Sequence, residues 1–156
     1  VGAMISSPAL LAEAEKFLDT VTICPNQLGQ HAALWGLQNL QTWLASERLE
    51  ILARRAAIEA QMQILSAQGW TLKGCGAYFA YLEHPFAMSS DELAQALVKE
   101  ASILALPGTM FMPENDPLGA RHLRIAFANI DAQGIEVLFE RLASLRFSLA
   151  PSAPAK

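Results

Sequence analysis

Charged residues are few: Asp, Glu, Lys and Arg make up 17% of the 156-residue chain, against 53% hydrophobic residues. That balance excludes a disordered or solvating segment. A chain of this length can bury roughly two-thirds of the surface it exposes when unfolded, so a core needs no disulfide staples. Neither sign of charge dominates. Eleven Lys and Arg face fifteen Asp and Glu, for a net charge of −4, and the basic residues form no stripe. Phosphate-backbone binding has no electrostatic footprint here, which excludes nucleic acid as an expected partner.

Metal-ligating and redox residues are equally sparse. Cys24 and Cys75 lie far apart, and His31, His84 and His122 are dispersed, so no metal site is expected. Without a disulfide framework or a secretory segment, the chain reads as cytoplasmic. The charge-free run over residues 21–46 is interrupted by Pro25, Asn26, Asn39 and several Gln, so no membrane span is expected. The opening Val1-Gly2-Ala3-Met4-Ile5 reads as the tail of an apolar element entered from upstream, the pattern of a piece of a longer protein.

Proline and glycine punctuate what remains. Ser7-Pro8 is a helix start, an N-cap followed by a proline whose missing N–H costs nothing there. Residues 20–29 break periodicity around Pro25-Asn26. Residues 30–68 contain no proline and only Gly36, and Ala33, Leu37, Leu40 and Leu44 form one helical stripe. Ile51, Ile58, Met62 and Leu65 continue it after a shift near Ser46. One very long helix or two nearly collinear ones fit, stopped by Gly69.

Beyond Gly69 the period changes. Residues 70–73 and 77–82 are short and β-prone, with Gly74 and Gly76 expected to make the tight connection between them. Ser89-x-x-Glu92 is a capping box ahead of a helix carrying Leu93, Leu97, Val98 and Ala101. Residues 103–106 read as a buried strand ended by Pro107-Gly108, and residues 123–127 as another strand. Asp131 caps a last helix with Ile135, Leu138, Phe139, Leu142 and Leu145 on one face. The expected fold class is α+β: a small sheet with helices on one face, preceded by a long linking helix. Four segments follow: 1–29 helix and loop, 30–68 linking helix, 69–147 α+β domain, and 148–156 a disordered tail.

The chain has no HExxH, GxSxG, P-loop or dinucleotide fingerprint. Arg124 is the one residue out of keeping with its surroundings, a guanidinium between Leu123 and Ile125 in an apolar strand. Such a charge needs an anionic partner, and its fork fits a carboxylate. Three readings are open: a structural ion pair, exposure on a solvent face, or a binder of a substrate carboxylate. Trp35, Trp43, Tyr78, Phe79 and Tyr81 read as packing residues, and Arg54-Arg55 as a solvated or salt-bridged helix face.

Several pieces in register resemble a known family. Pro25 and Gln30-His31-Ala32-Ala33 precede a long helix with Arg54-Arg55; then come Gly76-Ala77-Tyr78-Phe79, Pro107-Gly108-Thr109-Met110-Phe111, Gly119 and Leu123-Arg124-Ile125-Ala126-Phe127. This order resembles the carboxy-terminal part of class I/II aminotransferases, fold type I pyridoxal-phosphate enzymes, over residues 1 to about 146. The family often has Pro-x-Gly-Ala where this chain has Gly74-Cys75-Gly76-Ala77.

The resemblance implies the small domain of such an enzyme, with residues 1–29 at the edge of the cofactor domain. It implies amino-group transfer between an amino acid and a 2-oxo acid, with pyridoxal 5'-phosphate as electron sink. Arg124 matches the arginine that holds the substrate α-carboxylate. None of Lys16, Lys73, Lys99 and Lys156 stands in the family's Ser-x-x-Lys context, so the Schiff-base lysine and the phosphate-binding arginine are expected upstream of Val1. No catalytic, cofactor-binding or metal residue is expected in this chain, which alone should be inactive. A homodimer is the family's usual assembly. Alternative readings are another fold type I chemistry (lyase or decarboxylase), an aminotransferase-like ligand-binding domain of a transcriptional regulator, and an independent interaction module.

Overall fold

A computed structural model describes residues 1–114 and 116–151. They fall into two compact units, Val1–Glu47 and a second beginning at Arg48.

The first unit is helical. Helix α1 spans Pro8–Val21, with Ser7 as N-cap accepting from the Leu10 N–H, and α2 spans Gln27–Asn39, capped by Asn26. Only 22–26 connect them, a shorter break than the expected 20–29, because α1 runs on through Thr20 and α2 starts before Gly29. Ile23 in this connection takes φ 59. No residue of α1 or α2 is buried. Leu10, Phe17, Leu34, Trp35 and Leu37 are all exposed, so the apolar stripe expected to pack here covers nothing in this unit.

Of the two arrangements expected over 30–68, one long helix or two, the chain forms two. The break falls at Leu40, and α3 begins at Gln41 and runs to Ser66. No proline or glycine marks that break, and the periodicity shift at Ser46 lies within α3. Among its residues only Ile58, Met62 and Leu65 are buried, all within the second unit.

The second unit is a four-stranded antiparallel sheet in the order β1-β2-β4-β3, with β1 Thr71–Gly76, β2 Phe79–Glu83, β3 Leu106–Pro107 and β4 His122–Ala126. Alternation divides its two faces. Ala80 pairs with Ile125 and Leu82 with Leu123 on the buried face, joining Ile58, Leu65, Leu93, Leu97, Ile135, Phe139 and Leu142 in one core. That core unites the sheet with α3, with α4 (Ser90–Ala96) and with α5 (Ala132–Ser144). At about 25 cal/mol per Å² of apolar area, each such fully buried side chain stabilises the fold by roughly 1.5–3 kcal/mol. The caps read from sequence are in place: Ser89 and Glu92 satisfy each other's backbone N–H, and the Asp131 carboxylate accepts from the Gly134 N–H at 2.8 Å.

Several elements differ from expectation. Gly74 and Gly76 lie within β1, and the turn is Ala77-Tyr78, with Ala77 at φ 48 where two-residue hairpin turns usually place glycine. The register shifts between Leu72 and Gly74, a bulge that carries Lys73 to an ion pair with Glu83 at 3.2 Å. α4 continues as a wider π-helical turn over Leu97–Ala101, ended by Ser102 at φ 54. The strand expected over 103–106 shrinks to Leu106–Pro107, since Ile103 is spent closing that turn through its N–H to the Leu97 carbonyl. The tail expected from Ser148 is tied down at first. Ala87 N–H donates to the Ser148 carbonyl and Ala150 N–H to the Pro85 carbonyl, each at 2.8 Å. The rest of that segment, 152–156, lies outside the described residues.

Candidate functional site

The opposite face of the sheet carries the polar residues. There Tyr81 pairs with Arg124, Phe79 with Ala126 and Glu83 with His122. β1 contributes Gly74 beside Tyr81 and Gly76 beside Phe79, and a Cβ built on either glycine would meet nothing within 4 Å. This part of the face is open.

Arg124 is half-buried on it. None of the ion pairs among the described residues involves Arg124. Its guanidinium carbon instead lies over two rings, 4.3 Å from the centroid of Phe79 and 3.8 Å from that of Phe111. Of the three readings open at the sequence level, the structural ion pair is absent among the described residues. The remaining cationic fork has donors for an external carboxylate.

Phe111 reaches Arg124 from a 3-10 turn over Gly108–Phe111, which follows β3. A second 3-10 turn, Pro117–Arg121, packs against it. Gly108 is held so tightly that a Cβ there would come within 2.6 Å of the Gly119 carbonyl oxygen and 2.7 Å of His122 Cβ. Thr109 Oγ1 donates to the Asp91 carboxylate at 3.0 Å, and the buried Ser90 hydroxyl donates to the Gly119 carbonyl at 2.9 Å. The first residues of α4 thereby lock both turns. In the sequence Gly108 reads only as a strand end, and Phe111 and Gly119 carry no role of their own. Phe79 read as packing. Their signal was the Pro-Gly-x-x-Phe string itself, which has no meaning until the strand register puts it beside Arg124.

Arg121 and His122 serve the framework. The Arg121 guanidinium donates to the Phe86 and His84 carbonyls at 2.5 and 2.6 Å. His122 is buried and stacked on Tyr81, with ring centroids 4.9 Å apart. Burial pushes the Tyr81 phenol up from its ordinary range. Arg54, read as part of a solvated or salt-bridged helix face, pairs with Glu50 at 3.1 Å, and beyond that reading it donates to the Ala128 carbonyl past β4. Arg55 pairs with Glu59 at 2.8 Å. Among the described residues no group of His, Cys, Asp and Glu could hold a metal, and no helix is long and apolar enough to cross a membrane.

His84 makes a testable contribution. It is fully buried, donates through Nε2 to the Ala120 carbonyl at 3.2 Å, and has its pKa lowered to about 4 by burial and then by the Arg121 guanidinium. An unfolded His titrates near ~6.5, so below that pH the unfolded chain binds a proton that the folded chain refuses. Stability should be full above about pH 6.5 and should fall by about 3 kcal/mol as the pH drops towards 4. Urea unfolding at a series of pH values checks this. His84→Phe should flatten that part of the profile.

Comparison with known proteins identifies the setting. The family model for aminotransferase class I and II matches residues 1–142. The chain belongs to that family. Among solved structures, an aminotransferase from Staphylococcus aureus is 30% identical, with a TM-score of 0.59 over 73% of this chain and 28% of its own. N-succinyldiaminopimelate aminotransferase from Mycobacterium tuberculosis is 21% identical, with a TM-score of 0.65 over 86% of this chain and 35% of its own. A PLP-dependent aminotransferase from Streptococcus suis is 17% identical, with a TM-score of 0.65 over 88% and 35%. No curated relative matches the chain. The likeness agrees with the α+β architecture, a small antiparallel sheet with a long helix, and the chain spans about a third of the length of these structures.

Membership of the aminotransferase family implies pyridoxal phosphate. The described lysines offer no place for its Schiff base. Lys16 is exposed and paired with Glu13 at 2.6 Å, Lys73 is exposed and paired with Glu83, and Lys99 is exposed on the π-helical turn. None has the closed, desolvated surroundings that activate a lysine towards a carbonyl. Lys156 lies outside the described residues.

Proposed function

We propose that this chain is the carboxy-terminal portion of a pyridoxal-phosphate-dependent aminotransferase that moves an amino group between an amino acid and a 2-oxo acid. The observation that carries the reading is Arg124: a guanidinium on an open sheet face, over two aromatic rings, within a family match over residues 1–142. Residues 1–29 form the edge of the cofactor domain, 30–68 the link and 69–147 the small domain. The whole protein is cytoplasmic and homodimeric.

The cofactor, held by residues beyond this chain, supplies the electron sink. Arg124 grips the substrate carboxylate with two parallel N–H donors and fixes where the amino-bearing carbon sits. Its contribution is orientation rather than bond making. The sheet beneath it is rigid because its other face is core, so the guanidinium is delivered from a fixed backbone.

The test is a direct assay of the whole protein with cofactor. It should convert amino acids to 2-oxo acids with stoichiometric amination of an acceptor oxo acid. Carbon dioxide release or elimination without that amination would refute the reading in favour of another fold type I chemistry. Residues 1–156 alone should neither transaminate nor develop a visible absorption band with pyridoxal phosphate. A band that appears and is abolished by changing Lys16, Lys73, Lys99 or Lys156 would overturn this. Light scattering of the whole protein should give two chains per particle, and a fully active monomer would contradict the assembly.

A further inference from the structure

Arg124 belongs to an arrangement larger than itself. A free arginine side chain has many rotamers, and immobilising one on binding costs conformational entropy. Carboxylate partners are the usual way to hold an arginine, but they occupy the donors that an incoming anion needs. The two rings solve this differently. An aromatic face attracts the cation through its quadrupole and excludes water from it, without engaging its N–H groups as a carboxylate does. The distances of 4.3 and 3.8 Å are well inside the range of that attraction.

From this geometry we infer that Phe79 and Phe111 are positioning residues that hold the Arg124 guanidinium ready for a carboxylate. The inference rests on the reading of Arg124 as the carboxylate binder. The rings come from independent parts of the chain. Phe79 begins β2, paired with Ala126 two register pairs from the Tyr81–Arg124 pair and so on the same face. Phe111 ends the 3-10 turn fixed by the Gly108–Gly119 contact and by Thr109 on Asp91. Neither ring is core: Phe79 is 37% and Phe111 41% exposed, so hydrophobic burial alone does not account for both meeting on one guanidinium. Their shared point of contact is the cation.

The experiment uses the whole protein with cofactor in wild-type form and as Phe79→Leu, Phe111→Leu, Phe111→Tyr and Arg124→Ala. Three quantities are read: KM and kcat for an amino acid that the wild type converts, the competitive inhibition constant of hexanoate (a carboxylate with no amino group), and the thermal unfolding midpoint. Losing one ring should raise both KM and the hexanoate constant by roughly 2- to 30-fold, the factor expected for one cation–π contact. Cofactor absorbance and the unfolding midpoint should stay at wild-type values, and kcat should change less than KM. Phe111→Tyr, which keeps a ring face, should restore both constants. Leucine variants that bind hexanoate like wild type, while Arg124→Ala has lost it, would overturn the positioning role and leave the Arg124 reading standing. A tyrosine variant as impaired as the leucine one would also overturn it. Arg124→Ala binding hexanoate as tightly as wild type would instead overturn the underlying reading.

Discussion

Replacing Arg124 with alanine in the whole protein should raise KM for amino acids and lower kcat/KM by about thirty- to several-thousand-fold, with cofactor absorbance unchanged. The range follows from losing a charged, paired contact, about 2–5 kcal/mol. The site makes the upper half of that range reachable. The guanidinium is half-buried, and the rings of Phe79 and Phe111 shield it from water, so its attraction for a carboxylate is less screened than at a bare surface. Arg124→Lys should recover only part of the loss, because an ammonium is a point charge and cannot offer two parallel donors. Steady-state kinetics with the amino acid varied, alongside the visible spectrum, checks both. Unchanged kcat/KM in Arg124→Ala would remove the residue from the site.

The second large effect is on the fold. Gly108→Ala should destabilise the protein by about 3 kcal/mol, the upper part of the range for overpacking a close-packed site. The added methyl would stand 2.6 Å from the Gly119 carbonyl oxygen and 2.9 Å from that of His122. Both are backbone atoms that cannot swing aside. Relieving the clash means parting the two 3-10 turns, which moves Phe111 off Arg124. The same variant should therefore weaken carboxylate binding as well as stability. Gly74→Ala is the matched control: its Cβ would meet nothing within 4 Å, and alanine is less costly than glycine inside a strand. Thermal unfolding of both variants checks the pair. A Gly108→Ala midpoint equal to that of Gly74→Ala would show that the contact carries no strain.

Local chemistry made part of this fold legible. Ser7-Pro8, Ser89-x-x-Glu92 and Asp131 each marked a helix start, because capping is decided by a side chain and the N–H groups within three residues of it. The break at Leu40 was not legible. No Pro or Gly sits at that point, and Asn39 alone is too weak a signal to end a helix. The apolar residues 103–106 read as a strand because a short apolar run lacks a period to contradict it. The π-helical turn that consumes Ile103 is set by tertiary packing of Leu97 and Ile103 into the core.

At the site, Arg124 could be singled out because one charge in an apolar strand is anomalous in itself. Its surroundings could not. Phe79 and Phe111 are ordinary aromatics in their own segments, and they meet Arg124 only through strand pairing and the contact of Gly108 with Gly119. The meaning of those two glycines is equally non-local. Gly108 is required by the Gly119 carbonyl, eleven positions away, and Gly119 by the backbone of Thr109, in a chain whose intervening turns have no periodic pattern.

The most direct measurement is a crystal structure of the whole protein with hexanoate bound. The account predicts both carboxylate oxygens on the Arg124 guanidinium, at roughly 2.7–2.9 Å from its nitrogens, with Phe79 and Phe111 still against the cation. A carboxylate bound elsewhere, or an Asp or Glu side chain occupying the Arg124 donors, would contradict it.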